Sequence, residues 1–315
     1  MAPRVPNKRI SVIGGGGMVG AATVNALILK GVAAELLIVD VAPKAAEGQA
    51  LDIADASFNS PGVVRVGSYA EAGQSDLVII TAGYPQKPGE PRSKLLGTNK
   101  SIMNDICTQM QPIRPDMKIL VVANPVDVLT HIVWQSSKLP KNQVFGSGTY
   151  LDSGRLRSQI ASMIDVHPQS INAYVLGEHG DRQFVAWSAA RIQNTPLLDH
   201  PKLKGIELDS IRQEVMRKAY AIIEAKRSTY FGIGMCSATI AESVLNNTQE
   251  VYPLVHWVEA HQAYISWPCT VGSNGVDQSF DVPLNEQEQK ALGVAVAAIK
   301  DMVKEAESIE EPRKD

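Results

Sequence analysis

The stretch Ile10-Ser11-Val12-Ile13-Gly14-Gly15-Gly16-Gly17-Met18-Val19-Gly20 decides the fold that this chain can adopt. Its first four residues are typical of a buried strand, and a helical pattern of apolar residues follows the glycines. Three of the glycines have the spacing GxGxxG, which provides a tight turn, room for a pyrophosphate and close packing of helix on strand. We therefore predict a dinucleotide site at the N-terminus of this helix, where phosphate is favoured. The predicted contacts are Gly15, Gly17, Met18, Val19 and Gly20.

An acidic residue follows at the spacing that this turn requires. Asp40 ends the apolar run Leu36-Leu37-Ile38-Val39 and lies 20 residues after Gly20 (40 − 20). A carboxylate at the end of the second strand accepts hydrogen bonds from ribose hydroxyls and repels a 2′-phosphate. The sequence therefore predicts that the cofactor is NAD rather than NADP.

The remainder of the first half continues to alternate between strand and helix patterns. Apolar strands are predicted at Val63–Val66, Asp76–Thr81 and Lys118–Val122, and helices over 45–57 and 93–110. This alternation predicts an α/β fold with a Rossmann-type, doubly wound parallel sheet in residues 1–146. Ligands of such sheets bind at the carboxyl ends of the strands. Further cofactor contacts are accordingly expected at Gly83, Tyr84, Val122 and Asn124.

The second half, residues 147–315, has a different pattern and predicts an α+β catalytic domain with antiparallel strands. Helices are predicted from Leu151 to about Ile164 and over roughly 206–225, 229–246 and 285–309. Strands are predicted at Ile171–Leu176, Val185–Ile192, Val251–Val255 and Ala263–Trp267, the last two antiparallel.

A histidine lies at the glycine-hinged corner Val175-Leu176-Gly177-Glu178-His179-Gly180-Asp181. Imidazole is the side chain whose ordinary pKa is nearest neutrality, so His179 is a candidate proton acceptor, although a surface histidine would fit the corner as well. Asp152 and Arg155 are three residues apart and share one helix face. They are either an exposed ion pair or, in the functional interpretation, the partner of the histidine and the anchor of a carboxylate.

Composition and charge exclude several classes of function. The chain has 315 residues, is 44% hydrophobic, and has a formal net charge of -3, which favours a globular protein with neither a nucleic-acid nor a membrane partner. Cys107, Cys236 and Cys269 form no CxxC pair, so neither a zinc site nor a disulfide framework is predicted. We expect a cytoplasmic protein that binds no metal.

Six motifs together resemble the L-2-hydroxyacid dehydrogenases, the lactate and malate dehydrogenase family, over nearly the whole chain. They are Gly15-x-Gly17-x-x-Gly20, Thr81-Ala-Gly83-x-Pro-Gln86-Lys-Pro-Gly-Glu-Pro-Arg92, Asn124-Pro-Val-Asp127, Leu151-Asp152-Ser-Gly-Arg155, Gly177-Glu-His179-Gly-Asp181 and Ser228-Thr229-Tyr-Phe-Gly-Ile233. The resemblance implies reversible hydride transfer between (S)-lactate and NAD, giving pyruvate and NADH. It also implies a homo-oligomer, either a dimer or a tetramer.

The resemblance assigns a role to each motif residue. His179 would exchange the hydroxyl proton, Asp152 would fix its tautomer, and Arg155 would bind the substrate carboxylate. Arg92, on a loop that closes over the substrate, would polarise the C2 oxygen, although Tyr84–Arg92 could also be an ordinary surface loop. Asn124 would contact that oxygen or the nicotinamide, Ile233 the nicotinamide ring, and Thr229 the substrate methyl.

Gln86 favours pyruvate and lactate over oxaloacetate and malate. By resemblance it faces the C2 substituent, where the malate enzymes of the family have an arginine that pairs with a second carboxylate. Glutamine cannot neutralise that charge, and a buried unpaired carboxylate is costly.

A malate or branched 2-hydroxyacid dehydrogenase, and a non-catalytic NAD-binding protein, remain alternatives. Arg182 departs from the family pattern, in which serine is common at this position.

We predict that fructose 1,6-bisphosphate activates this chain little or not at all. Bacterial relatives that respond to the bisphosphate bind it with an arginine and a histidine, and this chain has Arg157 but places Asn172 where the histidine would be. The measurement is the pyruvate saturation curve with and without the bisphosphate. A large shift of that curve to lower pyruvate concentrations would contradict the prediction.

Overall fold

A computed structural model describes residues 8–58, 60–84 and 92–309, apart from the side chains of residues 92 and 93. The predicted positions Gln86 and the side chain of Arg92 therefore lie outside the described residues. In the described ranges the chain folds into one long mixed sheet covered by helices, and a small antiparallel sheet lies beside it.

The first half alternates strands and helices, as its sequence pattern predicts. In chain order it comprises β1 (Arg9–Ile13), α1 (Met18–Lys30), β2 (Glu35–Val39), α2 (Pro43–Ala56), β3 (Val63–Val66), α3 (Tyr69–Ala72), β4 (Leu77–Ile80), α4 (Arg92–Gln109), β5 (Lys118–Val121), α5 (Val126–Ser137) and β6 (Val144–Gly146). The six strands pair in parallel in the order β3-β2-β1-β4-β5-β6. This is the doubly wound order, so the predicted fold class is confirmed.

The second half adds longer antiparallel strands and four long helices. It comprises α6 (Tyr150–Ile164), β7 (Ile171–Asn172), β8 (Val175–Gly177), β9 (Gln183–Val185), β10 (Arg191–Ile192), β11 (Thr195–Pro196), α7 (Leu208–Lys226), α8 (Phe231–Asn246), β12 (Glu250–Val258), β13 (Ala263–Gly272), β14 (Gly275–Ser279) and α9 (Glu286–Ser308). Strand β12 pairs with β6 through Val255 and Gly146, which extends the parallel sheet through β12, β13, β8 and β9. The predicted antiparallel strands are therefore present.

Two predicted strands of this half are wrong. The run Ile171–Leu176 is divided, because β7 pairs with β10 in the small sheet whereas β8 pairs with β9 and β13 in the large one. The run Val185–Ile192 is likewise two short strands, β9 and β10, separated by a 3-10 turn at Trp187–Ala189. A largely apolar run indicates that its residues are buried, but it does not indicate which sheet they join. Here the chain passes from one sheet to the other.

The glycine turn is packed too tightly for any side chain at its third position. A Cβ atom on Gly20 would lie 2.3 Å from the carbonyl oxygen of Gly14. Helix α1 therefore lies directly against the turn after β1, with Leu27 and Ile28 buried in the core beneath it. None of the described helices is both long and apolar enough to cross a bilayer.

We predict that Gly20→Ala lowers the free energy of unfolding by about 1–3 kcal/mol, because the new methyl group overpacks the turn. Gly48→Ala is the matched control, since Gly48 is in helix α2 and a Cβ there meets nothing within 4 Å. Alanine in an exposed helix should raise stability by about 0.5–1 kcal/mol. Urea unfolding of both variants measures the difference, and equal stabilities would contradict this account.

Candidate active site

The residues predicted to bind cofactor lie along one edge of the parallel sheet. The main-chain N–H groups of Thr81 and Ala82 donate to the carbonyl oxygen of Ile13 at 2.8 and 3.0 Å, and Val122 donates to Ile80 at 2.9 Å. Gly14 donates in turn to Val39 at 2.8 Å. The chain segments that follow β1, β2, β4 and β5 are therefore held side by side. They carry the glycine turn, Asp40, Gly83 and Asn124.

The main chain and Asp40 fit a dinucleotide at this edge. Asp40 accepts a hydrogen bond from Gly16 N–H with one carboxylate oxygen and from Ala42 N–H with the other, both at 2.9 Å. These bonds fix the carboxylate beside the glycine turn. Gly17 is the N-cap of α1 and has no side chain to occupy the first-turn N–H groups, which are thus available to phosphate oxygens.

Three other predicted cofactor contacts line the same region. Val122 is buried at the end of β5, Tyr84 is half-buried after β4, and Ile233 is half-buried in the first turn of α8. Val19 and Ile233 both pack against one hydrophobic core cluster, which contains residues of α1 and of α8. Ile233, although far away in the sequence, therefore belongs to the same side of the molecule as the glycine turn.

Two hydroxyl groups attach the start of helix α6 to strand β8. Thr149 Oγ1 donates to the carbonyl oxygen of Val175 at 2.5 Å, and Ser153 Oγ accepts from the N–H of the same residue at 2.9 Å. Both hydroxyl groups are buried. They fix the first turn of α6, which carries Asp152, against the strand that leads to His179.

His179 and Asp152 form a hydrogen-bonded pair. The imidazole Nδ1 lies 2.8 Å from Asp152 Oδ2. Asp152 is buried, with 4% of its side chain exposed, whereas 30% of the His179 side chain is exposed. Because Asp152 is bonded to Nδ1, Nε2 is the ring nitrogen that remains to exchange a proton with a substrate. Gly177 adopts φ +93°, a left-handed conformation that favours glycine and turns the chain into this corner.

The pair retains its charges although burial opposes them. Burial disfavours the imidazolium, but the charge of Asp152 and its hydrogen bond outweigh burial and raise the pKa of His179 above its usual value. Burial also raises the pKa of Asp152, but His179 and Arg155 together bring it below the usual value. The geometry therefore favours a carboxylate beside a histidine that readily holds a proton.

Asp127 connects the histidine corner to the nucleotide-binding half. It is in the first turn of α5, is 2% exposed, and accepts a hydrogen bond from the main-chain N–H of His179 at 3.0 Å. Burial raises the pKa of its carboxyl group to about 7. Since α5 begins two residues after Asn124, this bond brings His179 to the carboxyl end of β5. Asp127 belongs to the Asn124-Pro-Val-Asp127 motif, but no local pattern indicates its contact with His179, which is 52 residues away.

Arg155 lies on the other side of Asp152. Its Nη1 is 3.2 Å from Asp152 Oδ1, and 11% of its side chain is exposed. A guanidinium has five N–H donors, so this contact leaves donors for a substrate carboxylate. Asp152 and Arg155 are thus not the exposed ion pair that the sequence also allowed, because the carboxylate is buried and shared with His179.

Three further predicted positions are Thr229, Arg92 and Gln86. Thr229 is half-buried two residues before α8 begins. Arg92 begins α4, whereas Gln86 lies outside the described part of the chain. Arg182, which departs from the family pattern, pairs with the buried Glu178 at 3.1 Å.

Asn99, which sequence reasoning missed because it lies inside a helix, is buried and bonds to both Tyr84 and Asn124. The described residues contain no group of three or more potential metal ligands.

Comparison with known proteins identifies the family. A family model described as lactate/malate dehydrogenase, NAD binding domain, matches residues 8–146, and the alpha/beta C-terminal domain of the same family matches residues 149–310. The chain belongs to the lactate/malate dehydrogenase family. The predicted family, the oxidoreductase class and the NAD cofactor are thereby confirmed.

Relatives in this family are similar over almost their full length. L-lactate dehydrogenase A of Rhizopus oryzae is 46% identical over 296 residues, covering 94% of this chain and 92% of that protein. L-lactate dehydrogenase 1 of Lactobacillus acidophilus is 40% identical over 311 residues, covering 96% of both. Among solved structures, a lactate dehydrogenase from a Medee basin deep-sea metagenome library superposes with a TM-score of 0.91 at 32% identity, covering 96% of this chain and 99% of that one.

A minor L-lactate dehydrogenase from Enterococcus mundtii superposes with a TM-score of 0.89 at 35% identity, covering 95% of this chain and 98% of that chain. The similarity to these dehydrogenases therefore includes both halves and the junction between them.

We predict that Asp152→Asn in this dehydrogenase shifts the pH dependence of keto-acid reduction to lower pH. In the role predicted for His179, reduction requires the protonated imidazole. Removing the negative charge of Asp152 lowers the pKa of that imidazole, so activity should be lost at a lower pH on the alkaline side. The measurement is kcat/KM as a function of pH. Asp165→Asn, at the exposed C-terminal end of the same helix, is the matched control. An unshifted alkaline limb in Asp152→Asn would refute the assignment.

Proposed function

We propose that this enzyme interconverts (S)-lactate and pyruvate, with NAD and NADH as its cofactors. The observation that carries the proposal is the His179–Asp152 pair, held by Asp127 at the edge that also bears the glycine turn and Asp40. This arrangement supports a proton acceptor that would lie next to the bound dinucleotide. The names of the relatives, L-lactate dehydrogenases from a fungus and from bacteria, support the same substrate.

In lactate oxidation, bound NAD supplies the acceptor for the hydride that leaves C2. His179 Nε2 accepts the hydroxyl proton, and Asp152 stabilises the resulting imidazolium through the 2.8 Å bond to Nδ1. In the reverse direction the same imidazolium donates its proton to the pyruvate oxygen. The raised pKa of His179 favours the protonated form that reduction requires.

Arg155 would hold the substrate carboxylate with two parallel hydrogen bonds, because a planar guanidinium matches a carboxylate. A fixed anchor aligns C2 with the cofactor, which provides much of the rate enhancement in such a reaction. Arg92 would stabilise the negative charge that develops on the C2 oxygen, a role that the resemblance implies. Asn124 would contact the same oxygen or the nicotinamide, and Thr229 would line the pocket beside the methyl group.

The preference for a monocarboxylate is supported by the neutral side chain at Gln86. By the resemblance Gln86 would face the C2 substituent, and a glutamine offers no positive charge to a second carboxylate such as that of oxaloacetate. Asp40 supports NAD over NADP, since its carboxylate would repel a 2′-phosphate.

We also propose a domain division at residues 146/147, a cytoplasmic location and a homo-oligomer, either a dimer or a tetramer. The parallel part of the sheet ends with β6, at Gly146, which supports the division. Tyr220 and Ile223 on α7, and Phe231 and Met235 on α8, are large apolar side chains between 45% and 69% exposed. Burial of such side chains between subunits would remove apolar surface from water.

The proposed function predicts that, with NADH, pyruvate is reduced far faster than oxaloacetate. Gln86→Arg should move the preference strongly toward oxaloacetate, because the new guanidinium pairs with the second carboxylate. Gln86→Leu, which adds no charge, is the control and should not gain oxaloacetate activity. NADH absorbance against a panel of 2-keto acids measures all three proteins.

His179→Asn should abolish turnover and leave NADH binding intact, since the imidazole acts on the proton and not on the dinucleotide. Faster reduction of oxaloacetate or of a branched keto acid by the unmodified enzyme would overturn the lactate assignment.

A further inference from the structure

Asn99 is a fully buried polar residue in the middle of helix α4. Leu96 and Met103, three residues before and four after it, are also buried, so Asn99 interrupts an apolar face of the helix. An unpaired amide at such a position would be costly, and packing alone would favour an apolar residue there. The hydrogen bonds of the amide should therefore indicate why asparagine is present.

The amide is bonded to the main chain of two separate strand ends. Asn99 Oδ1 accepts from Tyr84 N–H at 2.7 Å, and Asn99 Nδ2 donates to the carbonyl oxygens of Tyr84 and Asn124, each at 3.3 Å. One donor and two acceptors surround the amide, so only this orientation satisfies all three groups. A flipped amide would bring its NH₂ group against the N–H of Tyr84.

These three hydrogen bonds lie below the surface at the carboxyl ends of β4 and β5. Gly83 and Asn124 are exposed there, whereas Asn99 below them is completely buried. Tyr84 leads into the segment that carries Gln86, and helix α4 begins at Arg92, seven residues before Asn99. The side-chain amide of Asn99 therefore connects the segments that follow β4 and β5 with helix α4. This helix begins at Arg92, a residue assigned to substrate binding.

We propose that Asn99 is a positioning residue, which holds the main chain at Tyr84 and Asn124 in the arrangement that substrate binding and hydride transfer require. The inference rests on the proposed function, because it assigns Asn124 to the substrate or nicotinamide side of the site. Asn99 itself is buried and does not touch the reacting atoms. Its effect is exerted on the carboxyl ends of β4 and β5, where it fixes the distance between the two segments.

The principal test compares Asn99→Ala with Asn104→Ala, an asparagine on the same helix whose side chain bonds to Ser136 on α5 instead. In Asn99→Ala we expect oxamate, an unreactive mimic of pyruvate, to bind the NADH complex about tenfold more weakly, and kcat to fall by about the same factor. The affinity for NADH should change less than about threefold, because the glycine turn and Asp40 are intact. Asn104→Ala should match the unmodified enzyme in all three measurements.

A second variant, Asn99→Asp, separates positioning from stability. An aspartate retains the acceptor for Tyr84 N–H, but when ionised it places an oxygen against the carbonyls of Tyr84 and Asn124. When protonated it donates to one of them. Its kcat/KM relative to the unmodified enzyme should therefore recover at acidic pH, whereas the ratio for Asn99→Ala should stay constant. A loss of packing would not produce this pH dependence.

Amide hydrogen exchange supplies a measurement that does not depend on activity. Without the Asn99 acceptor, the Tyr84 N–H should exchange about tenfold faster, and Asn104→Ala should leave it unchanged. Folded Asn99→Ala with oxamate affinity and kcat within twofold of the unmodified enzyme would overturn the proposal. Failure of the unmodified enzyme to reduce pyruvate would instead overturn the proposed function, and the exchange at Tyr84 would still test the hydrogen bonds.

Discussion

The hydrogen bond from the main-chain N–H of His179 to the buried carboxyl of Asp127 joins the two halves of this enzyme at the site of chemistry. Asp127 begins a helix immediately after β5, and His179 follows β8, a strand near the far end of the same sheet. The proposed proton-transfer group is thereby fixed relative to the strand ends at which the dinucleotide is predicted to bind. Because this bond uses the main chain of His179, the imidazole ring remains available to bond to Asp152 and to substrate.

The electrostatics of the centre result from competition between burial and pairing. Burial alone would discharge both His179 and Asp152, yet each holds the other in its charged form across 2.8 Å. Asp127, which has no comparable cationic contact, shows the opposite outcome, since burial raises the pKa of its carboxyl to about 7. The pKa values of these two carboxyl groups thus shift in opposite directions, because only Asp152 shares a hydrogen bond with the imidazole ring.

Much of the site could be predicted because its residues lie at the ends of regular elements with recognisable patterns. The glycine turn, Asp40 and His179 follow strands whose hydrophobicity is local information, and Asp152 and Arg155 share a helix face. The strand predictions failed where an apolar pattern indicated burial but did not specify the strand with which the segment pairs. Ile171–Leu176 is a largely apolar run, but its two ends pair in different sheets. Asn99 and Asp127 carried no local signal, since their partners are 15 to 52 residues away.

The family, the NAD cofactor and the candidate catalytic residues could be predicted without coordinates, because a phosphate-binding turn and a charged motif are encoded within a few adjacent positions. Only the tertiary structure decided that Asp152 is a buried partner of His179 and not half of an exposed ion pair with Arg155. It also decided that the side chains of Asn99 and Asp127 bond to main-chain groups of distant segments at the candidate site. The reason is physical: burial, and the pairing that compensates for it, depend on which distant segments pack together, and no single stretch of the chain contains that information.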